Sequence, residues 1–197
     1  MAGLAKRADL AWRKIPAIMP GGAGSGQSLI TAAYRPVASL RRAALRRTLG
    51  DMSDMTIDLA DQAATEALAR RVAACARMGD TIALSGEMGV GKSVFARAFL
   101  RYLSDDPMLE VPSPTFSLVQ IYDTPKGAVA HFDLWRLGGP DDLHELGWDE
   151  LQGGIMLVEW PDRAGDELPA DSLRITLRHG VSDAARVAHI EGWGGRP

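Results

Sequence analysis

Cysteine is almost missing from this 197-residue chain. Its single copy, Cys75, rules out a disulfide within the chain and suits a reducing compartment. No apolar run approaches the roughly 20 residues that cross a bilayer. Neither a membrane-spanning helix nor the apolar core of a secretory signal is therefore expected. The four histidines (His131, His144, His179, His189) are scattered, and no Cys/His spacing suggests zinc. An Asn-Lys-x-Asp segment, which would read guanine, is also missing and argues against a GTPase.

Acids are scarce in one region only. Residues 1–50 carry nine basic side chains against Asp9 alone, a balance of +8, which leaves −11 for the remainder of a chain whose total is −3. The first stretch also holds Pro20-Gly21-Gly22-Ala23-Gly24-Ser25-Gly26, with nothing to bury. A short basic helix carrying Leu40, Leu45 and Leu49 is expected at 39–49. The segment reads as a basic, flexible extension, residues 1–54, ahead of one domain, residues 55–197. A transit peptide, a basic arm for RNA, or translation from upstream of a true start at Met52 or Met55 are the ways to explain it. A composition of 46% hydrophobic and 24% charged residues is ordinary for a soluble globular domain.

What is present is Gly86-Glu87-Met88-Gly89-Val90-Gly91-Lys92-Ser93, a full match to G-x-x-x-x-G-K-[ST]. Glycines let the backbone wrap a phosphate chain with successive N–H groups turned to its oxygens. Lys92 supplies a charge for the β/γ-phosphates, and the Ser93 hydroxyl is a ligand for Mg²⁺. A helix beginning there adds its positive dipole end. Met88, Gly89, Val90, Gly91, Lys92, Ser93 and Val94 are thus the expected nucleotide contacts. The setting agrees: Thr81-Ile82-Ala83-Leu84 reads as a buried strand, and Phe95, Phe99 and Leu103 recur at helical spacing.

The remaining pattern predicts an α/β, P-loop NTPase-like three-layer fold. Its central sheet is mostly parallel, with some antiparallel strands and flanking helices. Strands are expected at 56–59, 119–122, 129–134 and 155–158, with a hairpin from 173–177 and 186–190. A helix is expected over 61–78, stopped by Gly79, and a short one over 141–146 between Pro140 and Gly147.

Hydrolysis needs Mg²⁺ placed and water oriented, and acids at strand ends beside the P-loop strand do this. Ala130-His131-Phe132-Asp133 and Ile155-Met156-Leu157-Val158-Glu159 each end in one. Parallel strands present both carboxylates on one sheet edge. Which acid holds metal and which handles water stays open. Val111-Pro112-Ser113-Pro114-Thr115-Phe116 lies where many P-loop proteins carry a switch that senses the γ-phosphate. A rigid turn is the alternative.

The P-loop, Ser113-Pro114-Thr115-Phe116, His131-Phe132-Asp133-Leu134-Trp135-Arg136-Leu137 and Val158-Glu159-Trp160-Pro161 together resemble the TsaE family, formerly YjeE, over about residues 55–191. The resemblance implies a cytoplasmic protein that binds ATP and Mg²⁺ and hydrolyses ATP slowly. It implies TsaD and TsaB as partners, the pair that transfers threonylcarbamoyl to adenosine 37 of tRNAs reading codons that begin with A. By position, Ser93 and Glu159 would ligate Mg²⁺, and Asp133 would act near metal or water. Lys92 and Thr115 would serve in catalysis and the switch, and Trp160 would lie near the nucleotide. Gln62, Thr65 and Arg186 match further nucleotide-touching places. Ser93 replaces the commoner Thr, and Trp135 stands where Tyr is usual. Core packing is the other reading of Trp135 and Trp160.

Two other functions fit a P-loop: a small-molecule or nucleoside kinase, and a non-catalytic nucleotide-dependent binding module. Arg163, Arg174, Arg178 and Arg186 form no compact lid sequence of the kind kinases use. The −11 balance argues against broad contact with nucleic-acid phosphates, so tRNA is expected to be met through the complex, and neither DNA nor membrane is expected as a partner.

Overall fold

A computed structural model describes residues 54–193. Residues 1–53 of the basic extension, with the helix expected at 39–49, lie outside the described residues. Strand β1, Met55–Leu59, leads to helix α1, Gln62–Cys75. Asp61 caps that helix, its Oδ1 accepting from the Ala64 N–H at 2.8 Å. The expected continuation to Met78 does not occur. Ala76 turns extended (φ −61, ψ 141). The Arg77 N–H is instead taken by Asp80 Oδ2 at 2.8 Å. The carboxylate draws residues 77–80 into a separate turn, and Gly79 serves that turn in a left-handed conformation (φ 85) rather than capping the helix.

Strand β2, Thr81–Ser85, runs into the glycine loop, and helix α2, Lys92–Leu103, follows. Strands β3, Val119–Thr124, and β4, Gly127–Asp133, form a tight hairpin. Pro140–Leu146 is 3₁₀ rather than α-helical and ends at Gly147 (φ 71). A four-residue helix α3, Trp148–Leu151, and a second 3₁₀ segment, Pro161–Glu167, were not evident from periodicity, being too short to show one. Strand β5, Ile155–Glu159, precedes that segment, and β6, Leu173–His179, pairs with β7, Arg186–Glu191, as the expected hairpin.

The seven strands form one sheet in the order β1-β7-β6-β2-β5-β4-β3. The four central strands, β6, β2, β5 and β4, are parallel, and the outer pairings are antiparallel. Burial explains the division. All five residues of β5 are buried, as a strand covered on both faces requires. Ile82, Leu84, Ile155, Leu157 and Val129 pack on the face that carries α1 and α2. Ala83, Met156, Val158, Ala130 and Phe132 pack on the opposite face against Leu143, Trp148, Leu151 and Ala164. The antiparallel margin keeps a polar outer face instead, where Thr56 Oγ1 meets His189 Nδ1 at 3.3 Å.

Candidate functional site: a phosphate-binding loop with two strand-end acids

The loop leaves β2 at Gly86 with φ 132, a conformation that side chains avoid. A Cβ there would stand 2.4 Å from the Leu177 carbonyl oxygen of β6. Gly91 caps α2 with φ 112 and no side chain. The first-turn N–H groups of α2, which no helical carbonyl can reach, are left facing whatever the loop encloses. Gly89 is likewise left-handed (φ 80), Met88 is exposed at 66%, and Val94 is half-buried on α2. Arg186 reaches the loop from β7, its Nε donating to the Val90 carbonyl at 2.8 Å.

Lys92 is 5% exposed and folds back on its own loop. Its Nζ donates to the Gly86 and Glu87 carbonyls at 2.7 and 2.9 Å. It also lies 3.8 Å from the centre of the Trp160 ring. Burial pushes its ammonium below the usual lysine range, and the charges of Glu159 and Asp133 work against that shift. Trp160 adopts a left-handed backbone (φ 60, ψ 51), rare for a bulky residue. Its N–H donates to the Leu84 carbonyl, and its ring meets Trp135 at 4.4 Å. Both tryptophans thus stand at the site: Trp160 packs on Lys92, while Trp135 remains 38% exposed.

Asp133 and Glu159 are register partners at the ends of β4 and β5. Alternation puts both on the α2 face, with Val129 and Leu157. Asp133 Oδ2 accepts from Ser113 Oγ and Thr115 Oγ1, each at 2.8 Å, and Oδ1 accepts from the Trp135 N–H at 3.2 Å. The whole 113–115 segment is thereby tied to one acid. Glu159 Oε2 lies 3.4 Å from Ser93 Oγ. Glu159 Oε1 lies 2.9 Å from His131 Nε2.

A hydroxyl and a carboxylate oxygen, side by side at a spacing too long for a strong O–H···O bond, are donor types that Mg²⁺ takes. No group of three or more His, Cys, Asp or Glu residues is arranged to hold a metal among the described residues.

The expected residues Lys92, Ser93, Asp133, Glu159, Thr115 and Trp160 come together, and Arg186 braces the loop at Val90; Phe116 of the 113–116 segment is 85% exposed and lies against Arg136. Gln62 and Thr65 are held within their own helix start: Gln62 Nε2 donates to Glu66 Oε1 at 2.9 Å, and Thr65 Oγ1 meets the Asp61 carbonyl at 3.4 Å. Sequence reading missed Ser113 as a partner of Asp133 and His131 as a partner of Glu159. For His131 the signal was parity, because it stands two residues before Asp133 in an alternating strand.

A family model described as threonylcarbamoyl adenosine biosynthesis protein TsaE matches residues 59–187. A relative from Rickettsia bellii, named tRNA threonylcarbamoyladenosine biosynthesis protein TsaE, is 34% identical over 127 residues, covering 64% of this chain and 87% of its own. One of the same name from Bacillus subtilis is 33% identical over 125 residues, covering 62% and 77%. The crystal structure of Bacillus subtilis YdiB superposes with a TM-score of 0.57 at 26% identity, covering 73% of this chain and 88% of that one.

Proposed function

The chain belongs to the TsaE family, and from that premise we propose that it is a Mg²⁺-dependent ATPase serving N6-threonylcarbamoyladenosine formation at adenosine 37 of tRNA. It would act on a complex of TsaD and TsaB rather than perform the transfer itself. One observation carries the ATPase reading: Glu159 Oε2 stands beside Ser93 at the start of the P-loop helix, with Asp133 in register next to it. Mg²⁺ bound by Ser93 and Glu159 would neutralise charge on the nucleotide phosphates. Lys92 exchanges its Gly86 and Glu87 carbonyls for phosphate oxygens. Asp133, in register with Glu159 and bonded to Ser113 and Thr115, would tie the strand end to a segment able to change position with nucleotide state. The slow turnover that the resemblance implies would suit such a timing device better than a metabolic kinase. The proposed setting is the cytoplasm, and among the described residues no helix is long and apolar enough to cross a membrane.

The test has two arms. Nucleotide binding by calorimetry should vanish in Lys92→Ala. In Glu159→Ala, binding should persist while Mg²⁺-dependent hydrolysis falls by about 100-fold or more. Unchanged hydrolysis in Glu159→Ala would remove that acid from the site. Reconstitution with TsaD and TsaB, scored as multiple-turnover tRNA modification with and without this chain, tests the pathway. Modification that proceeds equally well without it would refute the role, and rapid phosphorylation of a screened metabolite would favour a kinase.

A further inference from the structure

His131 has no part in the reading above, yet the residue is 0% exposed. It lies in a strand whose other inward positions are apolar or acidic, and it stands opposite Leu157 in the β4–β5 register. A leucine would fill that space without a polar atom to satisfy. The ring instead places Nε2 2.9 Å from Glu159 Oε1, and both side chains are no more than 2% exposed. Nδ1 is buried without a hydrogen-bond partner. A buried N–H with no acceptor costs more than an unpaired lone pair, so the ring proton belongs on Nε2, where Glu159 accepts it.

We propose that His131 is a positioning residue that holds one oxygen of Glu159 and so presents the other, Oε2, to Ser93 as a single-oxygen ligand for Mg²⁺. The terminal torsion of a glutamate is broad, and nothing in the residue itself stops the carboxylate from rotating. Lys92 is the nearby competing attraction, because the two charges already act on each other. With His131 in place, Oε1 is engaged and the Ser93 side is left for the cation. Hydrogen bonds to ligating carboxylates tune metal affinity in this way, by roughly 10- to 100-fold. The inference rests on the ATP–Mg²⁺ reading above.

The experiment compares the parent chain with His131→Gln, which retains an N–H donor, and His131→Met, which retains bulk without one. Each is titrated with Mg²⁺ at fixed ADP, and ADP affinity is measured separately in chelator. His131→Met should raise the Mg²⁺ half-saturation concentration by about 10-fold or more while ADP affinity in chelator is unchanged. His131→Gln should stay near the parent. A folded Met variant with unchanged Mg²⁺ dependence overturns the proposal, as do equal shifts in both variants. Should the Met variant fail to fold, long-range ¹H–¹⁵N correlation in the parent decides: a proton on Nε2 supports the role and a proton on Nδ1 overturns it. A parent whose ADP binding ignores Mg²⁺ brings down the ATP–Mg²⁺ reading and this role with it. An unchanged Met variant beside a Mg²⁺-dependent parent removes only the role of His131.

Discussion

Lys92 is a buried ammonium whose hydrogen-bond acceptors are its own loop carbonyls, and this determines how stability should respond to pH. Burial lowers its pKa from the ordinary 10.5. Between the lowered value and 10.5 the unfolded chain therefore binds more protons than the folded one. Stability contributed by this residue is lowest at neutral pH and rises as pH climbs through that window. Denaturant unfolding of the parent and of Lys92→Met, without nucleotide, should show the parent gaining on the variant as pH approaches 10.5. A constant gap would mean that the ammonium carries no burial penalty. The loop was legible at this scale because its spacing encodes backbone geometry: glycines where φ must be positive, a lysine and a serine at the helix start. The His131–Glu159 pair was not, because its partners are 28 residues apart and meet only through strand register.

Helix α1 has no basic residue in its last turn, where the dipole favours one. The cation comes from elsewhere in the fold. Lys126, at the tip of the β3–β4 hairpin, donates from Nζ to the carbonyls of Ala73, Ala74 and Ala76 at 2.7, 3.0 and 3.1 Å. Lys126→Met should lower unfolding stability by about 1 kcal/mol and speed amide exchange in the last turn of α1. Intact protection there would show that the cap carries no weight. Strand positions were legible from continuous apolar runs, since both faces of the central sheet are covered. The end of α1 was not: apolar spacing continues past Cys75, and only the Asp80 carboxylate, competing for the Arg77 N–H, shows where the helix stops.

Among the described residues, 54–193, seven strands form one sheet with an apolar cluster on each face. A chain restricted to those residues should unfold in one cooperative transition and match the full chain in affinity for Mg²⁺–ADP when the two are titrated side by side. Loss of nucleotide affinity would assign the removed residues, 1–53 or 194–197, a part in the site. The fold class was legible at this scale because strands alternate with a helical pattern around the P-loop. Strand order was not, since it depends on pairings between distant segments. That order has a consequence for the newborn protein. The strand beside the loop, β2, has as neighbours β5 and β6, both made later, and β1 pairs with β7, the last strand among the described residues. During synthesis the glycine loop therefore emerges with neither wall of its cradle in existence, and Glu159 arrives 66 residues after Ser93. The motif is thus complete in the growing chain well before the residues that face it, and the whole site assembles only once β5 and β6 have been made.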